Sequence, residues 1–203
     1  IVGTPQRILR VGKGIVDSSI QIHTFARLLY DASMQKNLGP LGQIGYVVPD
    51  LKIAAMEWVD RTGIGPWYIA ERIPLDYFQY RGSDSDIDIG IATAFTGSLE
   101  IELIVQHNDS PSDYVAALER PITGVHHVSF FPRNYDQSLT SLLDQGFEIL
   151  QEGAIYGIRF IYLVDNQGRV VEMSDLPEEA RRRREVRMAE AAEWNGNDPI
   201  RGR

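Results

Sequence analysis

Gln43, Glu102, His127 and Glu172 are polar residues set in runs that otherwise read as apolar strands, "QIGYVV", "LEIELIVQ", "VHHVSFF" and "GRVVEMSD". Two carboxylates, an imidazole and an amide oxygen make a donor set for a divalent cation. Two carboxylates buried close together would otherwise repel and partly protonate, a cost that a cation removes. In "PITGVHHVSFFP" two histidines stand side by side. Neighbours on a strand point to opposite faces, so His126 and His127 are expected to do different jobs. His127 shares a face with Ser129, opposite Val128 and Phe130, and is the inward histidine. His126 is expected on the helix-side face, partly exposed or bonded locally. Glu100 shares the inward face with Glu102 and is a spare carboxylate.

The elements that must position these residues occur twice. "QIGYVV" reads as a strand, "PDLKIAAMEWVDRTG" as a helix closed by Gly63, and "PWYIAERI", "IDIGIATAF" and "LEIELIVQ" as strands. "VHHVSFF", the helix "RNYDQSLTSLLDQG", and the strands "FEILQEG", "IRFIYLVD" and "GRVVEMSD" repeat that order. Gln43 and His127 fall at the same point of their units, as do Glu102 and Glu172. The two spacings differ because the first copy carries the longer middle segment "ERIPLDYFQYRGSDSD". The chain therefore divides into a helical extension over residues 1–40, a first βαβββ module over 41–123, a second over 124–174, and a charged C-terminal helix over 175–203. The extension holds a helix-like run, "DSSIQIHTFARLLYDASMQ". The tail holds "RRRR", read as a solvated face salt-linked to Glu neighbours. In each strand the bulky aliphatic face is expected to pack on the module's helix: Ile44, Tyr46 and Val48; Ile87, Ile89 and Ile91; Ile101, Leu103 and Val105; Val171 and Met173. The opposite face, with small residues such as Ala92 and Ala94 and the carboxylates, is expected to line a cavity.

Bulk properties narrow the partners. The 203 residues carry a net charge of -8, which disfavours nucleic acid or an anionic membrane surface. The absence of cysteine excludes disulfides, thiolate metal sites and a thiol nucleophile. No apolar run reaches the length of a membrane span, and the N-terminus lacks the apolar core of a signal peptide. A cytoplasmic protein acting on a small molecule is the expectation.

The stretches "QIGYVVPDL", "GIGPW", "LEIELI", "GVHHVSFF" and "RVVEMSD", spanning roughly residues 42 to 174, resemble the vicinal oxygen chelate superfamily. Within it they are most similar to the glyoxalase I and methylmalonyl-CoA epimerase branch. The resemblance implies an α+β fold in which two paired βαβββ modules form a cupped mixed sheet around a central cavity, here with N- and C-terminal helical extensions. It implies one divalent metal ion (zinc, cobalt, nickel or manganese) on Gln43, Glu102, His127 and Glu172. Extradiol dioxygenases need a histidine where this chain has Gln43, so that activity does not fit. Epimerases carry a catalytic glutamate in a turn where this chain reads "SDSDIDIG", and Asp86 is the nearest equivalent.

The activity implied is proton abstraction beside a carbonyl on a small, partly apolar substrate, as an epimerase, an isomerase or a glyoxalase-type lyase. Glu172 is the first candidate base, Glu100 the second and Asp86 the third. Trp67, Tyr77, Phe78 and Tyr80 are candidates for an apolar wall. The tails, residues 1–40 and 175–203, lie outside the resemblance and are candidates to cover the cavity or build a homodimer contact; glutathione and coenzyme A are both left open. The alternative is a non-catalytic sequestering protein of the resistance type.

Overall fold

The computed structural model describes residues 38–118 and 124–202; the helix-like run in the N-terminal extension lies outside the described residues. Strand β1 (Leu41–Val47) leads into helix α1 (Leu51–Thr62), followed by β2 (Trp67–Ala70), the hairpin β3 (Tyr77–Tyr80) and β4 (Ser83–Asp84), β5 (Ile89–Thr96) and β6 (Leu99–Gln106). A short helix, α2 (Asp113–Leu118), precedes β7 (His127–Phe130). Then come α3 (Tyr135–Asp144), β8 (Glu148–Ile155), β9 (Ile158–Val164), β10 (Val170–Ser174), α4 (Glu178–Ala192) and β11 (Ile200–Gly202).

Local chemistry sets the helix ends. Asp50 caps α1 by accepting from the Ile53 amide at 2.8 Å, and Gly63 closes it with φ 72° and its N–H on the Val59 carbonyl. Asn134 caps α3 in the same way through the Gln137 amide.

All eleven strands join one sheet, in the order β11-β2-β5-β6-β1-β7-β10-β9-β8-β3-β4. The repeat is visible in that order. Counting outward from the centre, β1-β6-β5-β2 and β7-β10-β9-β8 each run first, fourth, third, second strand of a βαβββ unit. The first strands of the two units meet antiparallel, with Gly45 opposite His127 and Gln43 opposite Ser129. The fold is thus α+β with two paired units in a cupped mixed sheet. The extra segment of the first unit does not stay with it. Its hairpin crosses to the far edge, where Tyr77–Tyr80 pair with Gln151–Ala154 of β8. At the other edge β11 pairs parallel with β2, so the tail adds a strand as well as a helix.

One face of the sheet is covered by α1 and α3. Ile44, Tyr46, Leu51, Ala55, Ile101, Leu103 and Val105 form the cluster under α1; Leu142, Leu163, Val171 and Met173 form the one under α3. The opposite face carries Ile73, Ile89, Ile91, Ile104, Phe160 and Tyr162. Strand β5 therefore faces the other way from the expectation: Ala92 and Ala94 pack beneath α1, while Ile89 and Ile91 turn to the cavity. Small side chains let the helix backbone approach closely, and the fully buried Ala55 meets them there. The apolar cavity wall is built from the displaced isoleucines. Trp67 also lies under α1 rather than on the cavity, and Phe78 is buried in the core while Tyr77 is exposed.

Candidate metal centre and cavity

Sheet register brings the polar residues of the two units together. On β6 Glu102 lies beside Gly45 of β1; across the seam Gly45 faces His127 of β7; and on β10 Glu172 lies beside Ser129 of β7. Ligand atoms of Glu102, His127 and Glu172 all lie within 4.8 Å of one another, and all three residues are buried. His127 Nε2 is 3.1 Å from Glu172 Oε2 and 3.6 Å from Glu102 Oε2. Neither His127 Nε2 nor Glu172 Oε2 makes a hydrogen bond despite full burial. Buried polar atoms without a partner are costly, and here two aim at a common point. A divalent cation at that point would satisfy both, so the residues fit a metal. Gln43, also buried, lines the same cavity. Glu172 Oε1 accepts from Ser174 Oγ at 3.0 Å, which fixes the carboxylate plane.

Gly45 makes room for the imidazole. A Cβ at that position would sit 1.9 Å from His127 Cε1 and 2.4 Å from both ring nitrogens. The Tyr162 ring meets His127 edge-on at 4.9 Å.

His126 departs from the expectation. It precedes the strand ladder, so the alternation of the pleat does not govern its side chain. The ring is buried, not on the helix side: its Nδ1 lies 3.0 Å from His127 Nδ1 and its Nε2 lies 2.9 Å from Asp113 Oδ2. Asp113 is itself buried at the start of α2 and takes Gln151 Oε1 on its backbone N–H at 2.9 Å. In the sequence Asp113 reads as an ordinary first-turn acid in a linker; nothing there marks its partner.

The two further base candidates fare differently. Asp86 is exposed, accepts from the Asn108 side-chain amide on its backbone carbonyl, and does not line the cavity. Glu100 lines the cavity but is ion-paired with Arg184 of α4. Arg184 also donates to the Gly42 carbonyl at 3.0 Å and lies over the Phe131 ring at 4.1 Å. Burial first, and then the nearby Arg187 charge, lowers its guanidinium to about 10, still cationic at neutral pH. Arg181 donates to the Phe131 and Pro132 carbonyls. The "RRRR" run is therefore half surface and half structure. Arg182 and Arg183 form the expected i,i+4 pairs with Glu178 and Glu179, while Arg181 and Arg184, three apart, turn to the body.

The cavity has a volume of about 690 Å³. Isoleucines of β5 and β6 with Phe160 form its apolar side, Gln43, Glu102 and Glu172 its polar floor, and α4 its roof, with Arg72, Arg183 and Arg187 also on its wall. The phenols of Tyr114 and Tyr162 reach it from below; burial above all raises both well above the ordinary tyrosine value. Both stay protonated at neutral pH. Among the described residues no helix is long and apolar enough to cross a membrane.

The family model of the Glyoxalase/Bleomycin resistance protein/Dioxygenase superfamily matches residues 42–162. With that match over more than half its length, the chain belongs to this superfamily. Methylmalonyl-CoA epimerase from Mycobacterium tuberculosis is similar in structure, at 17% identity and TM-score 0.51, over 72% of this chain and 94% of that one. A hypothetical protein from Bacillus halodurans C-125 is similar at 18% identity and TM-score 0.50, over 68% and 95% of the two chains. No curated protein sequence matches the chain.

Proposed function

We propose that the protein is a metal-dependent enzyme that moves a proton at the carbon beside a carbonyl, as an epimerase, an isomerase or a glyoxalase-type lyase. The observation that carries this reading is the buried Glu102, His127 and Glu172 cluster, with two unpartnered atoms aimed at one point on the floor of a substrate-sized cavity. Those three residues and Gln43 would hold the ion. When bound, a divalent cation supplies Lewis-acid stabilisation of negative charge developing on a carbonyl oxygen.

The chain's own groups do the rest. Glu172 is the proposed base, a ligand whose Oε2 can shift off the metal while Oε1 stays on Ser174 Oγ. Glu100 is assigned a different role. Paired with Arg184, it holds that guanidinium at the roof, where it presents positive charge to substrate. An apolar wall opposite an arginine-bearing roof fits a substrate with an aliphatic acyl portion and an anionic group. Acyl thioesters of the kind named for the epimerase neighbour have that character.

The test needs no known substrate. Protein loaded with zinc, cobalt, nickel or manganese is incubated in D₂O with a panel of 2-oxo-, 2-hydroxy- and 2-methyl-acyl thioesters and hemithioacetals. Deuterium entering the carbon beside the carbonyl, and lost in Glu172→Gln, is the expected result. No exchange across the panel, with tight binding of an apolar compound, would instead mark a sequestering protein.

A further inference from the structure

We propose that Asp113 and His126 are positioning residues that hold His127 in the one tautomer able to offer Nε2 to a metal. The inference rests on the metal reading given above and adds two residues to it.

The protons can be assigned by elimination along three contacts. Asp113 Oδ2 lies 2.9 Å from His126 Nε2, so with the carboxylate ionised that nitrogen must carry the hydrogen and donate it. A neutral His126 then has only a lone pair left at Nδ1. That lone pair faces His127 Nδ1 at 3.0 Å, a distance at which two lone pairs would repel. His127 Nδ1 must therefore carry the hydrogen and donate it to His126. The remaining lone pair of His127 lies at Nε2, on the side of Glu102 and Glu172. Each alternative with one proton per ring sets two lone pairs against each other at one of these contacts, whereas the lone pair left by this assignment, which faces Glu172 Oε2 at 3.1 Å, is the one a bound cation takes.

Packing keeps the chain of contacts in place. His126 and Asp113 are 6% and 4% exposed, and the two imidazoles meet at 89°, which aims one nitrogen at the other in the ring plane. Tyr114 and Tyr162 flank His126 at 5.5 and 5.9 Å. Asp113 belongs to α2, between the two βαβββ units, so this short connection reaches the metal floor through His126. Partners of this kind orient a metal-bound imidazole and raise its basicity, and their loss typically weakens metal binding ~10–100-fold.

Two measurements test it. Histidine-labelled protein loaded with zinc is examined by long-range ¹⁵N–¹H NMR at a pH where each ring carries one N–H. The expected map is His126 protonated at Nε2 and His127 at Nδ1, and a His127 protonated at Nε2 overturns the proposal. Zinc affinity is then measured by competition with a chelator for wild type, Asp113→Asn, His126→Leu and His126→Asn. Asp113→Asn and His126→Leu should each lose ~10–100-fold. His126→Asn, whose carbonyl oxygen stands near the Nδ1 position as an acceptor, should recover much of that. Equal affinity in all four proteins overturns the proposal, as does equal loss in the Leu and Asn variants. If a variant does not fold, the wild-type NMR map still decides. A wild type that takes up none of the four metals overturns the metal reading and with it the metal role of the pair, whereas the wrong tautomer in zinc-loaded protein overturns this proposal alone.

Discussion

Gly45→Ala is the most direct perturbation of the centre, because it adds one methyl group beside the His127 ring. The new Cβ would lie 1.9 Å from Cε1. The ring must retreat by roughly 1.5 Å or more before the pair reaches ordinary contact. It has no space to do so: His127 is 1% exposed, with His126 against Nδ1, Tyr162 on its side and Glu172 in front. Overpacking of this kind costs ~1–3 kcal/mol. A chain of this length loses about 2–4 °C of melting temperature per kcal/mol. The variant is thus expected to melt roughly 2–12 °C lower. Metal binding should suffer more, since ligand distances tolerate only about ±0.2 Å. Zinc affinity should fall at least ~100-fold, beyond what loss of a supporting hydrogen bond brings. Thermal unfolding by circular dichroism and chelator competition measure the two effects. Gly65→Ala is the control: its Cβ meets the Trp194 ring at 2.7 Å, on none of the strands that carry the ligands. A Gly45→Ala protein with wild-type melting and wild-type zinc affinity would refute the placement of His127 against β1.

Glu100→Gln leaves the half-buried Arg184 cation without its acidic partner, so it should destabilise the fold by ~2–3 kcal/mol, below the cost of breaking a fully buried pair. Glu100→Gln combined with Arg184→Met should regain most of that in urea unfolding, and a neutral single variant would show that the roof contact contributes nothing. Asp86→Asn, exposed and outside the cavity, should keep wild-type metal content and D₂O exchange; loss of either would return Asp86 to the site. The Tyr114 and Tyr162 phenols titrate above their unfolded value of ~10, so the folded state holds more protons than the unfolded one in alkali. Their contribution is complete below pH ~10 and is lost as pH rises beyond it. Part of the phenolate absorbance should therefore appear together with loss of near-ultraviolet dichroism, and smooth ionisation of every tyrosine in an intact fold would contradict the burial.

Strand alternation and the internal repeat made much of this protein legible from its sequence. Gln43, Glu102, His127 and Glu172 fall on one face because side chains alternate with period two and because the second copy repeats the first. Where both faces of a strand are apolar, that rule has nothing to read. In "IDIGIATAF" the choice between isoleucine and alanine faces was made by how closely α1 approaches, a matter of three-dimensional packing. The destination of the extra hairpin, on the far edge of the sheet, depends on which strand edge is open after the two units pair. Arg184 and Asp113 are charged residues in charged or linker segments, and only the path of the chain brings one over Glu100 and the other against His126. His126 shows the boundary most plainly. Alternation holds within a ladder, and a residue one step before the ladder begins is placed by its tertiary neighbours instead.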